Sequence, residues 1–414
     1  MEQLEDFINN YDYSKQNEVE YEILYEICMT FLDIIQTLPR DMVIKLLNIF
    51  STFSLGMDKK SSICFNTLNQ VLGCADDANS RWMLHGLIDH LQPLLLKCSN
   101  SGKTEGLRPN LGFSIKNDDL RTKWLDCGGL QSIPLFYTIL RFMKRNEISS
   151  NLWWITPGIL NLLDDTTDLE RIKLGGVKLL QVLLEHTFAG SVVEDERWMS
   201  FPETGLFKLY EPILINMTYY LPPSYSSKET LMVFEMVFPT LELLYKREFN
   251  DNRAMYQKNL QKILSVVILQ NVMPRVTYQY EDLTLYILNL TVELLNELQG
   301  ASVIHLSRLI FNLGEYVIRN PFFTAFPSIM NETMRLIQTL IDITPEERLK
   351  CHNFDLYGLL FIMYEKNYQE GTLSEDRMTL MQEMIIELET KGCCLKDEEK
   401  NEIFQHKVEF KNLF

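Results

Sequence analysis

The chain is poor in the features that assign a chemistry outright. It has no CxxC pair, no HExxH and no GxSxG elbow ahead of a helix, which removes the usual sequence signs of zinc, metalloprotease and α/β-hydrolase sites. Positive charge is scarce as well: 39 basic residues face 56 acidic ones, giving a formal net charge of −17, and no Lys/Arg-rich run offers a local exception. Such a surface repels phosphate backbones, so no direct nucleic-acid partner is expected. The longest apolar runs, such as VVIL at 266–269, fall far short of a membrane span, and no membrane partner is expected. The opening MEQLEDFINN lacks the basic-then-apolar order of a signal peptide, which points to a cytoplasmic and nuclear protein. There the sequons at Asn216, Asn289 and Asn331 would be idle. Cysteines at 28, 64, 74, 98, 127, 351, 393 and 394 are scattered, as expected of reduced, mostly buried thiols. The neighbours Cys393 and Cys394 form a candidate exposed reactive pair.

What is abundant is helical periodicity. Ile23, Leu24, Ile27, Phe31, Ile34 and Ile35 recur at spacings of three and four. Leu231, Phe234, Val237, Phe238, Leu241 and Leu244 do the same, with Pro239 as a candidate kink. LTLYILNLTVELLNEL at 283–298 and MTLMQEMIIELE at 378–389 repeat the signature, and no alternating strand pattern bounded by Asn-Gly or Asp-Gly turns occurs. The class expected is all-α. Breaks near Pro39, Gly73, Gly128, 145–151, 164–167, 188–204, 221–226, 248–253, 271–279, 300–302, 319–321, 343–346 and 370–374 leave helices joined by short connections. That regularity predicts an α-solenoid of irregular HEAT/armadillo-like repeats. Its divisions would be an N-terminal helical region at 1–98, a flexible polar loop at 99–119 and a helical-repeat region at 120–414.

Three motifs suggest chemistry and then fall short. Gly102-Lys103-Thr104 ends like a phosphate loop, but Lys97 stands where its first glycine belongs and a helix, not a strand, precedes it. His85 and His90 lie about 140° apart on a helix, too far for one metal, and Cys351-His352 has no second pair. The third is Asp-Asp-Thr-Thr-Asp at 164–168. Asp164, Asp165 and Asp168 have the DDxxD spacing by which helical prenyl-diphosphate enzymes hold magnesium. The second acidic motif is mimicked only by DDLRTKWLD at 118–126, ending in Asp126 and lying upstream instead of downstream. Of the basic residues such enzymes need for the phosphates, only Arg171 follows closely.

A helix junction accounts for the same letters. Thr156-Pro157 reads as an N-cap and first helical residue, and Thr167 with Glu170 forms a T-x-x-E capping box that places Asp168 at the next helix's positive end. That helix should turn Leu169, Ile172, Gly176, Leu179, Leu180 and Leu183 inward, leaving Lys173, Lys178 and Glu185 outside. Trp153 and Trp154, about 100° apart on a helix, should divide between core and surface, the exposed one facing a partner.

The ordered set TPGILNLLDD, KLGGVKLLQVLLEH, TGLFKLYEPIL, YYLPPS and VFPTLELL resembles the Tel-two-interacting protein two family over about residues 124–247. The positions that carry the resemblance are Pro157, Leu162, Leu163, Asp164, Asp165, Lys173, Gly176, Thr204, Gly205, Leu206, Leu221, Pro222 and Pro223. Members of that family are the smallest α-solenoid subunit of the triple-T co-chaperone complex. The resemblance implies a non-enzymatic scaffold without cofactor or metal, bound to two larger α-solenoid subunits. Through them it would serve newly made phosphatidylinositol-3-kinase-related kinases and the ninety-kilodalton heat-shock chaperone. Together with Trp153 and Trp154 from the helix reading, it makes Pro157, Asp164, Asp165, Lys173, Gly176, Gly205, Pro222 and Pro223 the candidate partner-binding or structural positions. The alternatives are a magnesium-dependent all-α prenyl-diphosphate enzyme and a generic HEAT-type assembly adaptor.

Overall fold

An apolar stripe on a helix has to be covered by another helix, and here most helices meet two. The computed structural model describes residues 2–13, 18–73, 78–96, 124–125, 128–188, 199–276 and 280–414. Among the described residues every regular element is helical and no strand occurs, so the protein is all-α. The polar insert with its Gly102-Lys103-Thr104, the 118–126 motif's Asp126, and Cys74, Cys98 and Cys127 lie outside the described residues. The chain forms two compact units, Met1–Phe207 and Lys208–Phe414.

The first unit contains α1 (Glu2–Asn10), α2 (Tyr21–Ile34), α3 (Arg40–Thr52), α4 (Lys59–Leu72), α5 (Ala78–Leu96), α6 (Gly129–Phe142), α7 (Arg145–Leu163), α8 (Leu174–Val182) and the short α9 (Phe201–Thr204). Helix α2 packs on α4, α3 on both α4 and α6, α5 on α6, and α8 on both α6 and α7. Phe31, Phe50 and Phe136 are completely buried in this core. A hydroxyl pair, Thr138 Oγ1 to Ser54 Oγ at 3.2 Å, fastens the end of α3 to α6.

The second unit runs through α10 (Phe207–Met217), α11 (Ser227–Glu248), α12 (Arg253–Lys262), α13 (Glu281–Leu298), α14 (Leu306–Asn312), α15 (Pro327–Ile343), α16 (Glu346–Cys351), α17 (Asn353–Glu370), α18 (Glu375–Thr390) and α19 (Asp397–His406). Helices α12 and α14 continue as π-wound segments, Ile263–Val272 and Leu313–Ile318. Two interleaved rows result. In one, α11 packs on α13, α13 on α15 and α15 on α18; in the other, α14 packs on Ile263–Val272 and α17 on α14 and Leu313–Ile318. Polar side chains link successive helices within each row at a recurring distance in sequence. Arg335 Nη2 donates to Asn289 Oδ1, Arg377 Nε to Asn331 Oδ1 and Lys366 Nζ to the Asn320 carbonyl, each 46 residues apart. The buried Asn312 amide donates to the Leu269 carbonyl at 2.7 Å, 43 residues back.

Several local expectations are corrected. The break placed at 145–151 falls instead at Met143-Lys144, and those polar residues open α7. They do not break the helix because their side chains bond to it: Ser150 Oγ and Asn151 Nδ2 both donate to the Glu147 carbonyl. Pro239, the candidate kink, lies inside α11, which runs on to Glu248 as its periodicity predicts. Cys393 is buried and only Cys394 exposed, so the two do not form an exposed pair. The sequon threonines Thr218, Thr291 and Thr333 are completely buried and donate to carbonyls one turn back.

Asn312→Leu is expected to leave the Leu269 carbonyl without this donor and to cost about 1–3 kcal/mol in urea unfolding. Asn250→Ala, at an exposed turn, should stay within about 0.5 kcal/mol of the parent.

Candidate interaction surface

The sequence-predicted residues concentrate on α7, the turn after it and the start of the next helix. Helix α7 is continuous from Arg145 to Leu163 with Pro157 inside it, so Thr156-Pro157 does not start a helix. Pro157 removes the bond its own N–H would make to the Trp153 carbonyl. That loss falls on the solvent face, where water can serve the carbonyl, while Trp154, Ile155, Gly158 and Ile159 are buried on the opposite face. Burial on both sides of the proline outweighs the single missing bond.

The two tryptophans separate as their 100° offset requires. Trp154 is 2% exposed, its ring 5.2 Å from that of Phe136 and its Nε1 donating to Asn151 Oδ1 at 2.7 Å. Trp153 is 60% exposed. It heads a line of exposed residues, Trp153, Pro157, Asn161 and Asp164, spaced four, four and three apart along one face of α7. Sequence reasoning had singled out three of these four separately; their alignment required knowing that the helix passes through Pro157.

At the end of α7 the carboxylates do not converge. Asp164 is exposed at the C-cap. Asp165 folds back on its own loop, its Oδ1 accepting from Thr167 N, Thr167 Oγ1 and Asp168 N, each at 2.8 Å. Asp168 is the next N-cap, accepting from Arg171 N at 2.9 Å and Arg171 Nε at 2.8 Å. The predicted Thr167/Glu170 capping box is therefore replaced. A carboxylate is a stronger acceptor than a hydroxyl: Asp165 takes the Thr167 hydroxyl as a donor, and capping passes to Asp168. Among the described residues no group of three or more His, Cys, Asp or Glu is placed to hold a metal ion.

Lys173 reverses its expected position. It is buried, and its Nζ donates to the Asp165 carbonyl at 3.1 Å. On a helical wheel Lys173 lies only about 60° from Gly176, inside the apolar sector. Its charge suggested exposure; its register, on the π-wound segment Leu169–Lys173, places it under the turn. Gly176 faces the end of α7 so closely that a Cβ there would stand 3.0 Å from Leu162 Cβ and 3.0 Å from the Leu163 nitrogen. Lys173 and Gly176 thus fix α8 against the Asp164-Asp165 turn from two sides.

The remaining motif positions are local structure. Gly205 closes α9 at φ +68°, where a side chain would be strained. Pro222 is buried and Pro223 exposed, joined by a cis peptide bond. Stacked Tyr220 and Tyr225 rings, 4.3 Å apart, bracket that turn. Gly205 belongs to the first unit and the two prolines to the second.

Lys173→Met should lower stability by about 1–3 kcal/mol in chemical denaturation, because the part-buried Asp165 carbonyl loses this donor. Gly176→Leu is expected to cost about 1–3 kcal/mol by overpacking against Leu162 and Leu163. A thermal midpoint equal to that of the parent would contradict either assignment.

A family model described as the Tti2 family matches residues 43–325, which include every motif position above. The chain is 49% identical over 317 residues to the Saccharomyces cerevisiae (strain ATCC 204508 / S288c) protein named TEL2-interacting protein 2, covering 75% of each chain. No solved structure matches. With the family model spanning well over half of the chain and a relative this similar, the protein belongs to the Tti2 family.

Proposed function

We propose that this chain is a non-enzymatic scaffold subunit of the triple-T co-chaperone complex, acting in the maturation and stability of phosphatidylinositol-3-kinase-related kinases. The observation that carries this reading is its similarity to a protein named for interacting with TEL2. Its partners are then the two larger α-solenoid subunits, with the kinases and the ninety-kilodalton heat-shock chaperone reached through them. The cellular roles that follow are DNA-damage signalling, telomere maintenance and TOR signalling, in cytoplasm and nucleus.

The fold supports such work. Interleaved helical rows tied at separations of 46 residues suit an α-solenoid of HEAT-like repeats. Such arrays bind partners along extended faces of exposed side chains. The line Trp153, Pro157, Asn161 and Asp164 has that form, with an exposed tryptophan as its anchor. No helix among the described residues is long and apolar enough to cross a membrane.

Affinity purification followed by mass spectrometry tests the assignment: a TEL2-type protein and a second large helical subunit should co-purify in comparable amounts. Depletion should lower the steady-state level of the client kinases, and unchanged levels of all of them would refute the function. Trp153→Ala should weaken complex recovery by about tenfold or more if this tryptophan is a hot spot. Its thermal midpoint should remain close to that of the parent, since the ring leaves no cavity.

A further inference from the structure

Helices α12 and α14 lie side by side in one row of the second unit and are joined at two levels. Gln261 Nε2 donates to the Ala301 carbonyl at 2.8 Å, and Asn312 Nδ2 to the Leu269 carbonyl at 2.7 Å. The outer face of this pair is exposed. On α12 and its π-wound continuation it carries Met255, Lys258, Lys262 and Val266; on α14 and the turn before it, Ile304, Arg308 and Phe311. Ile304 is 72% exposed and Phe311 57%, so apolar surface accompanies the charge. Lys258 lies about 60° round α12 from Gln261, and Arg308 about 40° round α14 from Asn312, so both cations border the seam between the helices.

The charge here is opposite in sign to that of the chain. Residues 253–276 and 299–319 contain six Lys or Arg and one acid, Glu315, in a chain of net charge −17. Helix α13, which separates the two stretches in sequence and belongs to the other row, has four acids and no basic residue. The carboxylates that pair with this face are already engaged: Glu211 with Lys262, Glu297 with Arg253 and Glu315 with Arg319. On the neighbouring α17, Asp355 pairs with His352 and Glu365 with Lys407. Among the described residues Lys258 and Arg308 have no ion pair. An apolar partner would bury these two cations uncompensated, and a basic one would be repelled. A nucleic acid would match the cations but not Ile304 and Phe311, and the net charge of the chain opposes it, as it opposes an anionic bilayer. A helix with an aliphatic stripe and Asp or Glu beside it satisfies both parts of the face. We infer that the outer face of α12 and α14 is a docking site for an acidic amphipathic helix of a partner protein. The inference does not rest on the scaffold reading and concerns residues other than the line on α7.

The test uses the full chain and a dye-labelled synthetic peptide of about 18 residues, or five helical turns, with Leu on one face and Glu on the other. Binding is read by fluorescence anisotropy, and general attraction cannot produce it, since both molecules are negative. Lys258→Glu with Arg308→Glu reverses the seam, and Phe311→Ser removes the apolar anchor; each should weaken binding by about tenfold or more. Lys228→Glu with Arg348→Glu makes the same charge change at exposed sites of α11 and α16. That pair should leave binding within about twofold. All these positions are exposed, so the thermal midpoints should stay close to that of the parent.

No binding by the parent would overturn the proposal, as would binding that survives the seam reversal or equal weakening by both charge reversals. A peptide with every Glu replaced by Gln should bind about tenfold more weakly; equal or tighter binding would overturn the charge complementarity. An oligothymidylate of about 18 nucleotides that binds more tightly than the peptide, and is lost on the seam reversal, would make the face a polyanion site and overturn the assignment to a protein helix. Tighter peptide binding by Glu194→Gln, Asp195→Asn and Glu196→Gln together would make the chain's own acidic segment the occupant and overturn the assignment to a partner. A parent dimer that the seam reversal dissolves would do the same by making a second copy the occupant.

Discussion

A helix with one apolar stripe cannot hide it alone, and in the second unit that stripe is covered by a helix two or three places along the chain. Helix α13 meets α11 behind and α15 ahead, and α15 then meets α18. Apolar burial supplies most of the attraction, but it is non-directional and would tolerate sliding by a helical turn. Polar cross-links remove that freedom. The Asn312 amide is buried and bonds one backbone carbonyl 43 residues away. A slip of one turn would leave donor and acceptor both unmatched in the core, a cost larger than the bond itself is worth. The Arg335–Asn289 and Arg377–Asn331 contacts repeat the device nearer the surface.

The junction between α7 and α8 uses the same logic in the first unit. There the polar cross-link is the buried Lys173 ammonium on the Asp165 carbonyl, and the apolar contact is Gly176 under Leu162 and Leu163. Asp165 contributes twice, with its carboxylate organising the loop and its carbonyl receiving the lysine. The aspartates of the turn are thereby joined to the lysine and glycine that follow them. The acids order backbone, and the lysine is part of the packing.

How much was legible follows from the same distinction. Helical class, most helix ends and the division of Trp153 from Trp154 depend on periodicity, which a sequence displays directly. The errors arose where residue type was allowed to outvote position. Lys173 was placed outside because it is charged, Pro157 at a helix start because proline favours one, and 145–151 in a loop because it is polar. In each case a specific partner or a packed face outweighed the local preference: the Asp165 carbonyl, the apolar face beneath α7 and the Glu147 carbonyl. The exposed line on α7 was invisible for the same reason, since a helix thought to begin at Thr156 cannot align Trp153 with Asp164.

That line also explains what such a surface offers a partner. Trp153 has two rotatable side-chain bonds, Pro157 has none that are free, and Asp164 is short, so little conformational entropy is lost when they are covered. Beneath them Trp154 is packed on Phe136 and held by Asn151, so the helix that carries the line cannot easily roll. Rigid side chains on a rigid helix bind by shape already present, and affinity then depends on complementarity more than on induced order. If the line on α7 is the proposed partner surface, the junction that fixes α8 under α7 supports it from below: loosening Lys173 or Gly176 would blur the position of Asp164 relative to Trp153.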